Sequence, residues 1–270
     1  MSYHKARKRF GQNFLNNEQI IHQILQTIAV TGSDIVVEIG PGQGALTEYL
    51  IPQAKQLYAI ELDRDLIPIL ISKFSEQSDK FNLINEDVLK FDFNSLIVND
   101  ELSNQYRIVG NLPYNISTPL LIYLIKFRHI IKDMYFMLQN EVVDRLVAHP
   151  NTKNFGRLSL LMQYFFHIEK HFIVPPTAFN PMPKVDSAIV SLRPYIDLEK
   201  THGISVNNIE LFQHICKSAF QQRRKTIKNN LKGIISSEQF NKVGINESQR
   251  AENLSLTDFI RLANLISQQR

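Results

Sequence analysis

The chain holds one cysteine, Cys216, so no disulfide can form within it. Its stability must come from packing, and 270 residues are enough to bury a sizeable core without covalent staples. A single cysteine suits a reducing compartment, and the cytoplasm is the expected location. Cys216 lies in LFQHICKSAF, an apolar helix face, where a free thiol behaves as a small buried hydrophobe. No stretch reaches the about 18 apolar residues that a membrane helix needs. The longest apolar run, Pro119 to Ile125, is soon broken by Lys126 and Arg128, so no membrane partner is expected. The opening MSYHKARKRFGQNFL is basic with no apolar run behind it and does not read as a secretory signal. His4, His22, His167 and His214 have no metal-site spacing and no second cysteine to assist them, so no metal is expected. Internal repeats and low-complexity segments are also missing.

What remains is ordinary globular composition, 44% apolar and 21% charged, with a net charge of +4. The distribution of the positive charge is more telling than its sum. Lys5, Arg7, Lys8 and Arg9 cluster with no acid among them, and Arg223, Arg224, Lys225 and Lys228 do the same between Lys217 and Lys232. Such clusters are either solvated faces or phosphate contacts, which give affinity for nucleic acid without sequence choice.

Along the chain, short apolar runs alternate with helical spacing. Asn17 to Val30 carries apolar residues at 20, 21, 24, 25 and 28, the period of a helix. IVVEIG, QLYAIEL, FNLINEDVL, YRIVGNLPY and DMYFMLQ read as successive strands with helices between them, and HFIVPPTAF and DSAIVSLRP as a last pair joined through a proline-rich loop. This pattern predicts an α/β fold, a Rossmann-like parallel sheet with helices on both faces. Beyond Pro194 the strand signal stops, and Ile209 to Cys216, Lys225 to Leu231, Ser237 to Val243 and Thr257 to Ile266 read as helices. The expected division is a catalytic domain over 1–198 and a small all-helical domain over 199–270.

In an open parallel sheet, ligands bind beyond the carboxyl ends of the strands. Gly40-Pro41-Gly42-Gln43-Gly44 follows the first predicted strand, and glycines let the backbone turn sharply and approach a ligand closely. The string also fits the dinucleotide fingerprint, so the loop alone does not separate a nicotinamide cofactor from S-adenosylmethionine. Glu61 ends the second strand, where a carboxylate can accept both ribose hydroxyls of an adenosine moiety; this again suits either cofactor. Asp87, after the third strand, can accept from an adenine amino group.

Asn111-Leu112-Pro113-Tyr114 after the fourth strand separates the alternatives. An exocyclic adenine amine is a poor nucleophile because its lone pair is delocalised into the ring. The amide oxygen of Asn111 and the carbonyl of Leu112 can each accept one N–H, drawing the nitrogen toward tetrahedral geometry. Pro113 stiffens the turn and holds the residue before it extended. Tyr114 can stack on a base that has left its own stack.

FGQNFL at 10–15, EIGPGQGALT at 38–47, NLPYNIS at 111–117, FGRLSLLMQ at 155–163 and the F-x-P-x-P of 179–183 together resemble the ribosomal RNA adenine N6,N6-dimethyltransferase family, in its bacterial small-subunit branch. The resemblance implies S-adenosylmethionine as cofactor, with Asn13 and Leu15 closing over it and Gly40, Gly42, Glu61, Asp87 and Asn111 in contact with it. It implies Asn111, Leu112 and Pro113 as the catalytic turn, and Tyr114 and Phe179 as aromatics flanking the target adenine. The implied reaction places two methyls on each of two adjacent adenosines in the 3′-terminal hairpin of 16S ribosomal RNA within the 30S subunit, with a role in subunit assembly. The implied enzyme is a monomer, with Lys5, Arg7, Lys8, Arg9, Arg223, Arg224 and Lys225 as RNA contacts. The rivals are a large-subunit 23S methyltransferase of the antibiotic-resistance type and a non-catalytic assembly factor. A DNA adenine methyltransferase more often carries two prolines in the turn, and a nicotinamide dehydrogenase leaves NLPY unexplained.

Overall fold

The computed structural model describes residues 12–96 and 105–268. Lys5, Arg7, Lys8 and Arg9 lie outside the described residues, as does part of FDFNSLIVNDELSNQY, residues 97–104.

The chain enters through a two-residue strand, β1 (Phe14–Leu15), and a helix, α1 (Glu18–Ile28). Asn17 caps that helix, its side chain accepting from the Ile20 N–H at 3.1 Å. Ile21, Ile24, Leu25 and Ile28 form the buried stripe that the spacing predicts. A doubly wound core follows: β2 (Ile35–Ile39), α2 (Thr47–Gln53), β3 (Gln56–Ile60), α3 (Ile67–Lys73), β4 (Phe81–Ile84), β5 (Tyr106–Asn111), α4 (Ser117–Leu124) and β6 (Ile131–Gln139). Next come α5 (Asn140–Leu146), α6 (Arg157–Phe165), β7 (Phe166–Val174), β8 (Phe179–Asn180) and β9 (Ser187–Pro194). The main sheet runs β4-β3-β2-β5-β6-β9-β7, with helices on both faces.

The sheet is parallel from β4 to β6, as the alternation predicts. β9 then joins β6 antiparallel, which makes the sheet mixed rather than wholly parallel. β7 begins at Phe166, earlier than the HFIV run, and stops before Pro175, which has no N–H to continue a ladder. β8 lies outside the main sheet and pairs antiparallel with β1, Leu15 opposite Phe179.

Contacts group the described residues up to Val143 with Glu169–Pro194 in one compact unit. Asp144–Ile168 groups with the described residues from Tyr195 onward in the other. A single cut at 198/199 does not separate these units, because the chain leaves the first at α5 and returns to it along β7. The second unit holds α6 together with α7 (Leu198–His202), α8 (Ile209–Ala219), α9 (Ile227–Asn230), α10 (Ser237–Lys242) and α11 (Leu256–Ser267). α8 packs against both α6 and α11, and Cys216 is buried on α8. Among the described residues no helix is long and apolar enough to cross a membrane.

One buried cation ties the amino ends of the first unit's strands. Arg107, near the start of β5 and 5% exposed, grips Asp133 of β6 through two bonds of 2.9 and 3.0 Å. It reaches Asp34 at 3.2 Å, and donates to the carbonyls of Ile28 at 2.6 Å and Ala29 at 3.1 Å. These last bonds satisfy carbonyls that the end of α1 leaves without helical partners. Burial works to raise the Asp34 carboxyl, but hydrogen bonds from Lys132 and Thr31 overcome it and hold the group down at about 2. Arg107→Met strands Asp133 without its partner, and removing one member of a buried pair costs about 3–5 kcal/mol. Urea unfolding should show a loss of that size, with the folded variant still binding ligand at the far ends of the strands.

Candidate active site

Register sets the site. Ile39 pairs with Ile60, Ile60 with Ile84, and Glu38 with Val109, so β2, β3, β4 and β5 end at one edge. The residues just past these ends line a single cavity: Gly40 to Gln43, Glu61 and Leu62, Glu86 to Val88, and Asn111 to Ile116. Gln12 to Leu15 form a further wall. All seven residues expected to contact the cofactor line this cavity, and Leu112, Pro113 and Tyr114 line it with them.

The glycine loop is held open by its backbone. Gly40, Gly42 and Gly44 all have positive φ, a conformation that side chains disfavour. A Cβ on Gly42 would press on the Phe14 ring at 3.1 Å, and one on Gly44 would strike Phe74 at 2.8 Å. The Gly42 N–H donates to Glu61 Oε2 at 3.2 Å, and the Asp63 N–H to Glu61 Oε1 at 2.8 Å. A carboxylate has about four acceptor positions, so Glu61 keeps capacity for a ligand on each oxygen. Burial raises its pKa against these two bonds. Asp87 accepts the Leu89 N–H on Oδ1 at 3.1 Å and borders the cavity.

The 111–114 turn is placed by a close approach. Gly110 precedes Asn111, and a Cβ there would lie 2.6 Å from the Ile39 carbonyl oxygen. Only glycine lets β5 run that near the end of β2. Asn111 Nδ2 donates to the Asn13 carbonyl at 3.0 Å. A carbonyl only accepts, so the amide must present its NH2 there, which leaves Oδ1 as the end not taken up by Asn13. The Leu112 N–H donates to Met137 O at 3.2 Å, seating the turn against β6. Gln12 bonds Asp63 Oδ2 at 2.9 Å and so fastens the N-terminal wall to the segment after Glu61.

Phe179, expected to flank the target base, does not line the cavity. It is 4% exposed and belongs to the same apolar cluster as Leu15, Ala178 and Ile189, because β8 pairs with β1 at that point. The basic residues of the second unit are at its surface. Arg223 bonds Glu252 at 3.1 Å and the Lys153 carbonyl. Arg224 and Lys225 are exposed, and no described residue pairs with either side chain. Gly110 and Glu38 were not separated from their motifs by sequence reasoning. For Gly110 the signal was a glycine closing a buried strand. For Glu38 it was an acid inside an otherwise apolar one.

A family model described as "Ribosomal RNA adenine dimethylase" matches residues 3–268. Among curated relatives, the "Ribosomal RNA small subunit methyltransferase A" of Saccharophagus degradans is 48% identical over 266 residues, 98% of this chain and 96% of the relative. Among solved structures, a dimethyladenosine transferase from Plasmodium falciparum is 26% identical with a TM-score of 0.77, covering 92% of this chain and 95% of its own. The 23S rRNA methyltransferase ErmE is 23% identical with a TM-score of 0.69, covering 95% and 100%, and shares the fold.

Glu38 yields a test of the cavity floor. It is 2% exposed, and burial pushes it from the ordinary 4.5 to about 7, the Thr47 hydroxyl bond at 2.7 Å opposing and the Glu61 charge adding. A raised carboxyl means the folded state holds the proton that the unfolded state gives up. Stability is therefore fullest below pH 4.5, falls as pH rises toward 7, and stays reduced above it. The shift corresponds to on the order of 3 kcal/mol. Glu38→Gln can still accept from Thr47, and urea unfolding across that range should show the variant gaining on the parent as pH rises.

Proposed function

The chain belongs to the ribosomal RNA adenine dimethylase family, and we propose that its cavity dimethylates the N6 amino groups of adenosines in small-subunit ribosomal RNA. We assign it two adjacent adenosines in the 3′-terminal hairpin of 16S RNA, acted on within the 30S subunit during its assembly, by a cytoplasmic monomer. The observation that carries the reading is the Asn111 amide, turned by the Asn13 carbonyl at the end of β5 beside the glycine loop and Glu61.

The cofactor is S-adenosylmethionine, which when bound supplies an electrophilic methyl group. The residues present fit it. Left-handed Gly40 and Gly42 allow close backbone approach, and Glu61 offers two partly occupied oxygens to ribose hydroxyls. Asp87 has an oxygen for the adenine amino group, and Asn13 and Leu15 form the wall over the site.

Asn111 Oδ1 and the Leu112 carbonyl accept the two N–H groups of the target amine. Both are neutral dipoles aimed at a nitrogen that gains positive charge as it bonds carbon, so they stabilise the transition state more than the ground state. No base is needed before attack, since the alkylated amine is acidic and loses its proton readily to water. After one transfer the nitrogen retains a single N–H, so the second transfer uses only one of the two acceptors. Tyr114, lining the cavity, offers a ring face to the base, while Phe179 backs the wall at Leu15. Arg224 and Lys225, with Arg223, hold RNA phosphates from the second unit.

Labelled S-adenosylmethionine, offered in parallel to unmethylated small subunits and unmethylated large-subunit RNA, tests the reading. Dimethyladenosine should appear in the small subunit alone; label confined to large-subunit RNA would move the enzyme to the 23S branch. Asn111→Ala should lose roughly 10²–10³-fold in kcat with cofactor affinity retained, and turnover at the parent rate would remove Asn111 from the chemistry. Changing Arg224 and Lys225 together to Ala should weaken RNA binding and lower the slope of log affinity against log salt by roughly 2.

A further inference from the structure

Tyr114 is fastened at both ends. On the backbone side, the Ile116 N–H donates to Pro113 O at 3.1 Å, and Ser117 Oγ donates to the Tyr114 carbonyl at 3.1 Å. At the far end of the ring, Tyr114 Oη and Ser187 Oγ share a hydrogen bond of 3.0 Å. Ser187 is the first residue of β9, is 1% exposed, and sits opposite Gln139 of β6. The carbonyl just before it, Asp186 O, accepts the Asn140 N–H at 2.9 Å. The serine is thus fixed by strand pairing on a rigid part of the sheet, whereas Tyr114 stands on a turn.

A tyrosine ring tethered only at Cβ can swing about its first side-chain torsion, and a second anchor at the hydroxyl, which lies on the long axis of the ring, stops that swing. Ser187 is not a cavity-lining residue, and nothing in the reaction requires its hydroxyl directly. We propose that Ser187 is a positioning residue: its bond to the Tyr114 hydroxyl fixes where the long axis of the ring points, and so where the ring meets the target base. The inference rests on Tyr114 stacking with that base. The tether also links the 111–114 turn to β9, the strand that follows the F-x-P-x-P segment.

Five variants test this, with turnover on small subunits, cofactor affinity and thermal midpoint measured for each. Ser187→Ala, which keeps the strand and removes only the hydroxyl, should lower kcat by roughly tenfold with cofactor affinity unchanged. Tyr114→Phe, which keeps the ring, should lose as much. The double variant should be no slower than either single one, because both remove one bond. Ser187→Thr restores a hydroxyl on a strand-compatible side chain and should recover most of the rate. Parent-rate turnover in Tyr114→Phe, or losses that multiply in the double variant, would overturn the proposal even if Ser187→Ala were unstable. Tyr114→Ala distinguishes the premise: if it turned over at the parent rate, the stacking role itself would fall, and the proposal with it. An inactive Tyr114→Ala beside a fully active Tyr114→Phe and Ser187→Ala would leave the stacking role intact and remove only the tether.

Discussion

Parallel pairing forces strands to finish at one edge, and the whole site depends on how closely these ends meet. Ile39, Ile60 and Ile84 stand side by side in register, so the segments that follow them border the same space. β5 extends this row only because Gly110 has no side chain to strike the Ile39 carbonyl. One methyl at that point would push Asn111 away from Gly40 and Glu61. The opposite ends of the strands are closed by Arg107 and its two carboxylates, in a network whose members are mutually satisfied. The amino ends are thus closed by a satisfied network, and the carboxyl ends are left open to a ligand.

The two-residue pairing of β1 with β8 is the second constraint. So short a ladder is marginal alone, but Leu15 and Phe179 are both buried in one apolar cluster and the Asn16 N–H bonds Ala178 O at 3.0 Å. Burying two large side chains contributes several kcal/mol, more than the pairing itself. The consequence is chemical as well as structural. Fixing β1 fixes the Asn13 carbonyl, and that carbonyl determines which end of the Asn111 amide is left for other partners. The segment that walls the cavity is thus also the segment that orients the Asn111 amide.

Local patterns carried most of this into the sequence. The alternation of short apolar runs and helical spacing gave five parallel strands in order, and capping residues such as Asn17 sat where α1 begins. Glu61, Asp87 and Asn111 were readable because each stands at the end of a strand or within a few residues of it, and strand ends converge. What stayed hidden is what depends on partners distant in the chain. Nothing local in FNPMPK says that Phe179 turns into the core, since its burial comes from pairing with Leu15. The polar residues of HIEKHF concealed the start of β7, which lies on the sheet's edge and is only partly covered. Ser187 looked like any strand serine until its register with Gln139 set it under Tyr114.

In the reaction proposed above, the identity of residue 111 follows from the same geometry. Residue 111 must donate to the Asn13 carbonyl and also present an acceptor to an amine. An aspartate of the same shape has no donor when ionised, and its charge would face a carbonyl oxygen in a cavity that already holds Glu38 and Glu61, both raised by burial. Protonating it would restore the donor at the cost of a further shifted acid. Glutamine has both groups but carries them one carbon farther out, past the carbonyl held by β1. Asparagine alone supplies a donor and an acceptor on one planar group of the right length. Its neutrality is sufficient because the adenine amine does not need deprotonation before attack. The fixed charges of the site can then be reserved for holding the cofactor, and the reaction itself proceeds on dipoles already in place.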